Sequence, residues 1–461
     1  MFDRRNFIQT LLVAAAAPAT DASFASTGTS AGFGKLVRDP RQILDLPEGF
    51  EYQVVCRRGE EMDDGLLVPG AADGMAAFPG DNGRVILICN HENSPRTPHN
   101  GPFGTKLERL DRIARDKVYD FGDGRTPGGG GTTTIVYNPT SQETERKFLS
   151  LAGTEVNCAG GPTPWGSWLS CEECFKEVGG ASEFFRFVYR NRKHGYVFEV
   201  PVAADGPVDP VPLTDMGRFE HEAAAVNPQS GIVYLTEDHV SSLFYRFIPD
   251  EPAKLALGGQ LQALCIADKQ SFDTRNWRRP DAMKTGEWLD TYWIDLDDVD
   301  SVRNDLRLRG ADAGAAVFAR GEGLCFTGTE FVITATIGGP DQLGQVFVYR
   351  PSPREGLPDE QSEPGRLSLL AQATTRSLLR HADNVTMGPW GDLLVCEDTA
   401  NHCGLVGIRP DGKQYPLADN AYTNSELAGA CFSPNESVMF LNIQDRGLTL
   451  AVTGPWLTTN G

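Results

Sequence analysis

Histidine is scarce in this sequence. Only 7 of the 461 residues are histidines, and they form no HxH or HExxH pattern. Such spacings bring two imidazoles to one metal ion, so their absence leaves histidine-based zinc or iron chemistry with little support. A CxxC spacing occurs at Cys171 and Cys174, but neither a second CxxC nor a histidine pair completes a zinc site.

Basic residues and long apolar runs are also in short supply. Lysine and arginine number 42 against 62 aspartates and glutamates, which gives a formal net charge of −20. An acidic surface disfavours nucleic acid or an anionic membrane as a partner, and beyond the N-terminus no apolar run is long enough to cross a bilayer. The acidity suits multivalent cations, or it is the ordinary surface of a secreted protein. Helical patterning is scarce too, with its best candidate at 299–308.

The N-terminus has the pattern of an export signal. Arg4 and Arg5 precede an apolar run (11–17) and then small residues. Paired arginines before such a run resemble a twin-arginine signal, which exports folded proteins. We therefore expect a signal segment over 1–25, the twin-arginine machinery as a partner, and a periplasmic or secreted protein. A Sec signal or a retained anchor is the alternative, because Gln9 stands where lysine or leucine is usual.

The remaining chain, 26–461, alternates short β-rich runs with turns, and we expect it to form one domain. These runs are β-branched or aromatic and are bounded by Gly, Pro, Asn or Asp, which is typical of strands. Cys89, Cys171 and Cys396 lie near the ends of such runs, where a small buried residue fits between sheets better than a disulfide does. The predicted strands are 85–89, 133–137, 167–171, 196–200, 232–236, 243–247, 331–336, 345–349, 393–396 and 438–442.

Six segments of this region repeat one pattern. Each has a head residue, a Pro or Gly six positions later, and then a β-rich run. Repeated supersecondary units stack on one another and share a core. The sequence therefore predicts an all-β, six-bladed β-propeller with irregular insertions, short helices and an axial metal site. The heads are Asp73, Cys158, Glu222, Glu322, Asp383 and Ala428, and Glu426 lies two residues before the last of them.

A ring of blades would aim these heads at its axis and collect carboxylates and one thiolate there. Like charges raise one another's pKa, and bound multivalent cations remove that conflict. Oxygen-rich ligation favours Ca²⁺, Mg²⁺, Mn²⁺ or Fe³⁺, whereas a thiolate shifts one position toward iron or zinc. The alternatives are a loop cap or structural calcium ligand at Asp73 and a buried free thiol at Cys158.

The candidate metal ligands comprise the chemically competent heads, Glu426 and the acids at the ends of two post-turn strands. They are Asp73, Glu92, Cys158, Glu172, Glu173, Glu222, Glu322, Asp383 and Glu426. We interpret four further paired acids as loop acids, namely Glu237, Asp238, Glu397 and Asp398.

Two arginines near the heads are candidate catalytic residues. Arg320 lies two residues before Glu322, and a guanidinium beside metals can bind a tetrahedral oxyanion through two hydrogen bonds. Arg218 lies four residues before Glu222 and is either a second anion contact or a salt bridge between blades. Serine and threonine offer no evident phosphorylated nucleophile.

At these residues the chain resembles the alkaline phosphatases of the PhoX family. The matching motifs are Asn90-His91-Glu92, NCAGGPTPWGSWLSCEE (157–173), GRFEHEA (217–223), ARGEG (319–323), Asp383-Asn384 and FLNIQ…TGPW (440–456). The resemblance implies a secreted phosphomonoesterase on a β-propeller, using ferric iron with calcium and a small phosphate ester as substrate. It implies Cys158 as an iron ligand, Glu222, Glu322 and Glu426 as acidic metal ligands, and Arg320 as a phosphate contact.

Two other functions also fit axial carboxylates. One is a calcium-dependent propeller hydrolase of lactones or phosphotriesters, and the other is a non-catalytic, metal-stabilised binding propeller. Cys158 and Arg320 argue against the first, because a neutral lactone needs neither of them. Colour separates the alternatives, since a ferric thiolate absorbs visible light and a calcium-only propeller does not.

Overall fold

Strands make up most of the regular structure of this protein. The computed structural model describes residues 32–183, 186–277 and 281–457, and the predicted signal segment (1–25) lies outside these ranges. Within them, the α-helix Leu306–Asp312 accompanies short 3-10 helices. None of the helices in the described chain is both long and apolar enough to cross a membrane.

The strands are numbered along the chain. They are β1 (Leu36–Val37), β2 (Leu44–Pro47), β3 (Glu51–Arg57), β4 (Ala72–Pro79), β5 (Val85–His91), β6 (Gly130–Asn138), β7 (Glu143–Thr154), β8 (Asn157–Pro162), β9 (Ser167–Glu172), β10 (Gly179–Glu183), β11 (Arg186–Arg190), β12 (Val197–Pro201), β13 (His221–Val226), β14 (Val233–Glu237), β15 (Phe244–Pro249), β16 (Gly259–Ile266), β17 (Trp288–Asp295), β18 (Gly321–Phe326), β19 (Phe331–Ala335), β20 (Gln345–Arg350), β21 (Arg366–Gln372), β22 (Ala382–Met387), β23 (Leu393–Glu397), β24 (Gly404–Ile408), β25 (Gln414–Asn420), β26 (Leu427–Phe432), β27 (Met439–Ile443) and β28 (Leu448–Thr453). The 3-10 helices are Asp81–Gly83, Pro98–Asn100, Leu110–Arg112, Arg115–Lys117, Gly122–Gly124, Thr214–Met216, Leu255–Leu257, Glu360–Ser362 and Pro455–Leu457.

Each repeat predicted from the sequence folds as an inner strand, a tight turn and a second strand. The inner strands are β4, β8, β13, β18, β22 and β26, and each pairs antiparallel with the strand that follows it. The Pro or Gly six residues after the head lies at the end of the inner strand or just beyond it. In the fifth repeat Gly391 completes the turn at a φ of +95°, which glycine adopts without strain. The turn residues thus limit the length of the inner strands.

The six inner strands pack against one another in a closed ring. Strand β4 contacts β8, and the order continues through β13, β18, β22 and β26 back to β4. Near the N-terminus, β3 pairs with β28 and so completes the sheet of β26, β27 and β28. Strands from the two ends of the described chain therefore share one sheet, which helps to hold the ring closed.

The sheets that carry the inner strands differ in size. Their orders are β4-β5-β6-β7, β12-β9-β8, β13-β14-β15-β16-β17-β21-β20-β19-β18, β1-β2-β25-β24-β23-β22 and β26-β27-β28-β3, with β10-β11 as a separate hairpin. Strand β17 pairs with both β16 and β21, so β13 and β18 belong to one nine-stranded sheet. The prediction of an all-β, propeller-like fold is confirmed. The predicted blade count of six does not equal the number of sheets, because two repeats merge at β17.

The sequence located strands more accurately than it located the helix. All of the predicted strand runs coincide with strands of the structure to within three residues at each end, and the largest difference is at the start of β6. The helix predicted over 299–308 is wrong in position, because it begins at Leu306. Upstream, the carbonyls of Val299 and Ser301 accept hydrogen bonds from Arg218, at 2.9 and 3.2 Å. The N–H groups that a helix would direct at these two carbonyls bond elsewhere, Arg303 N–H to Ser301 Oγ at 3.1 Å and Asp305 N–H to the Arg303 carbonyl at 2.8 Å.

Apolar side chains fill the spaces between neighbouring sheets. Cys89, Cys171 and Cys396 are fully buried among them. All ten cysteines are free thiols. Cys89, Cys171 and Cys396 therefore act as small apolar residues between sheets, as the sequence indicated.

Candidate metal centre

A β-bulge interrupts every inner strand at the head residue or directly after it. In β4, Ala72 pairs with His91 and Met75 with Cys89, so three steps on the inner strand oppose two on its partner. The same irregularity recurs in the other five inner strands. A bulge bends the strand and redirects the side chain at that position. The head side chains thereby leave the regular alternation of the strand.

The heads form a first ring, the head ring, which consists of Asp73, Cys158, Glu222, Glu322, Asp383 and Ala428. The Cys158 thiol donates to Glu222 Oε1 at 3.0 Å and lies 3.8 Å from Asp73 Oδ2. Across the ring, Glu222, Glu322 and Asp383 offer ligand atoms within 4.8 Å of one another. The structure thus brings together five predicted ligands from five repeats.

The inner strands approach one another closely at the level of the head ring. Gly323 directly follows the head Glu322, and a Cβ at this position would lie 2.5 Å from the carbonyl oxygen of Asp383 in the next repeat. Real Cβ atoms do not come so close to a carbonyl, so this close approach requires glycine. Gly323, the second glycine of the ARGEG motif, therefore helps to bring the neighbouring heads Glu322 and Asp383 close together.

A second ring, the tail ring, lies beside the head ring and consists of Glu92, Glu173, Asp238, Thr336, Asp398 and Gln444. In all six repeats the backbone N–H of the tail residue donates to the carbonyl of the residue two positions before the head, at 2.8 to 3.4 Å. Glu92 has a ligand atom within 4.8 Å of those of Asp73 and Cys158, and Glu173 has one equally close to Cys158 and Glu222. The rings therefore join into one cluster.

The structure separates the adjacent acids Glu172 and Glu173. Successive side chains of a strand point to opposite faces, so only Glu173 reaches the cluster. Glu172 is buried on the other side, where it accepts hydrogen bonds from the Glu155 N–H at 2.9 Å and the His194 ring at 2.6 Å. The prediction of Glu172 as a metal ligand therefore needs correction, because protein donors already bind its carboxylate.

Glu426 substitutes for the missing acid of the last repeat. Ala428 occupies the head position there and offers no ligand atom. Glu426 is half-buried and hydrogen bonds to Asp383 of the neighbouring repeat. Burial and the charge of Asp383 raise its pKa well above the usual range, so Glu426 shares the environment of the cluster.

Burial and mutual repulsion make the cluster unfavourable as a set of bare carboxylates. Burial and repulsion raise the pKa of Glu92 and of Asp383 to about 7. The negative charge of Asp383 contributes to the shift at Glu92, and the negative charge of Asp398 contributes to the shift at Asp383. The same causes raise the pKa of four more carboxyls and of one thiol well above their usual ranges, namely Asp73, Glu173, Glu222, Glu322 and Cys158. Within the described chain, Glu222 Oε2 is buried without a hydrogen-bond partner. Multivalent cations would supply the missing positive charge.

Arg320 lies at the edge of the cluster and is held by acids of two repeats. Its Nε and Nη2 donate to the two oxygens of Asp238 at 2.7 and 3.0 Å. Its Nη2 also lies 2.9 Å from Glu322 Oε1, and its Nη1 lies 3.9 Å from Asp398 Oδ2. Burial opposes the charge of the guanidinium, but Asp238 and Glu322 raise the Arg320 pKa above its ordinary value. The guanidinium therefore stays charged beside the carboxylates of the cluster.

The backbone of Arg320 is also unusual. Its φ is +52°, a left-handed conformation that costs energy in a residue with a side chain. Its N–H donates to the His239 carbonyl at 2.9 Å, and its carbonyl accepts from Thr336 at 3.0 Å. Hydrogen bonds on both sides therefore keep Arg320 in this conformation, as is common for residues of functional sites.

Arg218 has a different environment from the one expected of a substrate contact. It is fully buried, and its guanidinium donates to the carbonyls of His194 and Ser301 at 2.9 and 3.2 Å. It also donates to the Lys176 carbonyl and to Glu177. The structure does not bring Arg218 to the cluster, because its donors already bind these groups. The alternative, an arginine that ties elements together, describes it better.

The candidate site predicted from the sequence lacks four residues of the tail ring, namely Thr336 and three residues that interact with Arg320 or with acids of the cluster. Asp238 binds Arg320, and the negative charge of Asp398 helps to raise the pKa of Asp383. Gln444 donates hydrogen bonds to Asp73 at 2.9 Å and to Glu92 at 2.6 Å. The signal was present in the repeats, since each of the three occupies the strand position that Glu92 occupies in the first repeat. Aligning the repeats by their second strands would have revealed it.

Comparison with known proteins agrees with this architecture. A family model described as "Alkaline phosphatase PhoX" matches residues 31–447. Among solved structures, PhoX of Pseudomonas fluorescens in complex with vanadate, described there as a transition state analogue, is 18% identical in sequence. The alignment covers 90% of this chain and 96% of that chain with a TM-score of 0.64, so the two share a fold.

Two further solved structures are more distant. A protein described as a gluconolactonase is 10% identical over 91% of this chain and 96% of its own, and a gluconolactonase from Xanthomonas campestris is 11% identical over 92% and 98%. Both have a TM-score of 0.38, too low to bear on this protein. A search of curated proteins gave no match.

Proposed function

Because the chain belongs to the PhoX family of alkaline phosphatases, we propose that it hydrolyses phosphate monoesters at the axial cluster. The observation that carries the proposal is the meeting of one thiol with carboxylates from separate repeats. The relative from Pseudomonas fluorescens, which was solved with vanadate, supports it through the shared fold. Both the cluster and the neighbouring Arg320 suit a small anionic substrate with a tetrahedral phosphoryl group.

The cations that fit this donor set best are ferric iron and calcium. Cys158 with Glu222 and Asp73 would hold the iron, because a thiolate suits iron or zinc better than it suits calcium. The oxygen-only group of Glu222, Glu322 and Asp383 would hold calcium, with Glu92, Glu173 and Glu426 as additional oxygen donors. Cations bound there would polarise the phosphoryl oxygens and offset the charge that develops on them.

Arg320 would bind the phosphoryl group from the edge of the cluster. Asp238 and Glu322 engage the Nε and Nη2 atoms of Arg320. The other terminal nitrogen, Nη1, lies farther from a carboxylate, 3.9 Å from Asp398 Oδ2. Asp238 thereby fixes the plane of the guanidinium before substrate arrives. Such preorganisation reduces the entropy lost on binding.

The proposal includes the architecture and the cellular location predicted from the sequence. We count six blades around the axis, because the nine-stranded sheet contributes two of them. The blades form one domain over 26–461, which follows a signal segment over 1–25. The ten free thiols support export of the folded protein by the twin-arginine machinery, because a chain that folds in an oxidising compartment tends to form disulfides. The mature protein would then act in the periplasm or outside the cell, without nucleic acid or a stable membrane partner.

The test combines a phosphatase assay with metal analysis. Hydrolysis of p-nitrophenyl phosphate and the iron and calcium contents are measured for the natural protein and for Cys158→Ala and Glu322→Ala. We expect both variants to lose turnover, and Cys158→Ala to lose iron. Cys325→Ala is the matched control, because this thiol lies on β18 three residues after Glu322 and outside the cluster. Full turnover and full iron content in both variants would refute the ligand assignment.

A further inference from the structure

The inner strands line an uncharged space along the axis, a cavity of about 440 Å³ that we call the axial chamber. Its wall consists almost entirely of residues one to six positions after the heads. The tail residues lie on the other side, since their N–H groups bond to residues two positions before the heads. The head ring therefore separates the axial chamber from the tail ring. At about 30 Å³ for each water molecule, the chamber has room for roughly 15 water-sized groups.

The wall of the axial chamber carries no charged side chain among the residues that the structure describes. In the first three repeats much of the wall is glycine and alanine, such as Ala76, Ala159 and Ala225, and these small residues leave the space open. Larger apolar side chains, including Leu324 and Met387, line it in the other repeats. A volume of this size with a mainly apolar wall is typical of pockets for small organic molecules.

Most of the polar side chains in this wall are already bonded within the protein. Asn384 accepts a hydrogen bond from the Gly429 N–H at 2.8 Å, and the Thr163 hydroxyl pairs with the Ser167 hydroxyl at 2.8 Å. Thr386 differs, because it is half-buried and its hydroxyl has no hydrogen-bond partner in the described part of the chain. The wall therefore offers a ligand apolar contacts and one free side-chain hydroxyl.

The axial chamber is narrow toward the cluster and opens at its other end. A Cβ at Gly429 would lie 2.3 Å from the carbonyl oxygen of Asp73, and Gly323 approaches the neighbouring repeat in the same way. Neighbouring strands thus pack closely directly after the heads, which narrows the channel there. At the far end the chamber is bordered by Pro164 and Pro228, which are exposed. A ligand can therefore enter from this end without passing the cluster.

From this geometry we propose that the axial chamber binds one uncharged, predominantly apolar molecule, an alkyl or aryl compound with at most one hydrogen-bonding group. Burial of its apolar surface drives binding, and the flexible side chains of Met75 and Met387 adapt to its shape. A charged ligand is disfavoured, because a buried charge without a partner costs free energy. The head ring lies between this site and Arg320, so the chamber and the cluster can be occupied at the same time. The site does not depend on the proposed phosphatase function.

A matched pair of fluorescent probes tests the proposal. N-Phenyl-1-naphthylamine is uncharged, and 8-anilino-1-naphthalenesulfonate has the same rings with a sulfonate added. We expect one molecule of the uncharged probe to bind each chain of the natural protein, with a Kd at least about tenfold lower than that of the sulfonate. Thr386→Trp, which adds an indole to the chamber wall, should raise the Kd of the uncharged probe at least about tenfold. Thr140→Trp is the matched control, because Thr140 is exposed in the turn between β6 and β7.

A second measurement needs no variant. Crystals of the natural protein soaked in 1-bromonaphthalene should show an anomalous bromine peak inside the axial chamber, and a peak only elsewhere would overturn the proposal. Equal affinities for the two probes, or an unchanged Kd of the uncharged probe in Thr386→Trp, would overturn it as well. Saturating uncharged probe should leave the KM for p-nitrophenyl phosphate unchanged. Competition between the two would place the probe at the cluster and refute a separate site, while the phosphatase function would stand.

Discussion

Replacing Asp238 by asparagine tests whether this acid positions Arg320 for the substrate. The carboxylate accepts two hydrogen bonds from one edge of the guanidinium, at 2.7 and 3.0 Å. Asparagine keeps one oxygen acceptor but has neither the negative charge nor the second acceptor. Arg320 still lies 2.9 Å from Glu322, so the guanidinium loses its fixed plane and not its place at the cluster.

The size of the effect follows from the hydrogen bond that asparagine cannot accept. Hydrogen bonds to charged groups contribute about 1.5 to 3 kcal/mol. The Arg320 side chain is 31% exposed and solvent screens part of this interaction, so about 1 to 2.5 kcal/mol is a reasonable range. Because about 1.4 kcal/mol corresponds to a tenfold change in rate, kcat/KM for p-nitrophenyl phosphate should fall by roughly 5- to 70-fold.

Metal content distinguishes positioning from ligation in this experiment. We expect Asp238→Asn to retain the iron and calcium of the natural protein and to bind vanadate more weakly. Asp209→Asn, which removes an exposed acid paired with Lys117, controls for the change in net charge. An unchanged kcat/KM in Asp238→Asn would refute the positioning role, and a parallel loss of metal would show that Asp238 is itself a ligand.

Three further predictions address other parts of the molecule. Arg218→Gln should lower the free energy of unfolding by about 2 to 6 kcal/mol in urea titrations, because it leaves two buried carbonyls without these donors, at about 1 to 3 kcal/mol each. A raised KM at unchanged stability would restore Arg218 as a substrate contact. Burial opposes the charge of His194, but Glu172 and Glu155 raise the pKa of His194 to about 10. The stability that protonated His194 contributes is therefore complete below about pH 6.5 and is lost as the pH rises toward 10. Urea titrations from pH 7 to 10 should therefore show a falling stability in the natural protein and a smaller fall in His194→Gln, and equal slopes would contradict this. Calcium chelation should abolish phosphatase activity and lower the melting temperature. The loss of stability should be equivalent to about 3 kcal/mol if calcium was present at 100 times its Kd. A chelator-treated protein that keeps its activity and its melting temperature would contradict a functional calcium site.

The repeat pattern was enough to predict the convergence of the heads. Each head precedes a Pro or Gly at constant spacing, so strand length and register repeat, and equivalent residues of a closed ring meet at its axis. Cys158 could be recognised as a ligand candidate because it replaces a carboxylate at an otherwise acidic position. These inferences needed only local pattern and symmetry.

The tail acids show where local pattern was insufficient. Glu172 and Glu173 are chemically alike, and their roles differ only because side chains alternate along β9 and its continuation. Asp238 was interpreted as a loop acid, since its partner Arg320 is 82 residues away in the sequence. Choosing between such acids requires the register of the strand pairs, which neither composition nor spacing specifies.

Arg218 and the sheet count depended on interactions between distant segments. Arg218 binds carbonyls at Lys176, His194 and Ser301, and no sequence motif brings these together. Likewise, β17 pairs with strands on both of its edges, so two repeats merge into one sheet. The predicted helix begins late, after a segment whose N–H groups bond locally and whose carbonyls accept from the distant Arg218.

The central claim is that the head and tail rings hold multivalent cations, and anomalous X-ray diffraction tests it most directly. Data would be collected above and below the iron absorption edge on crystals of active protein purified without added metal. We predict an iron peak next to Cys158 Sγ and Glu222, and further cations among Glu222, Glu322 and Asp383. Fully active protein whose rings contain no cation would contradict it.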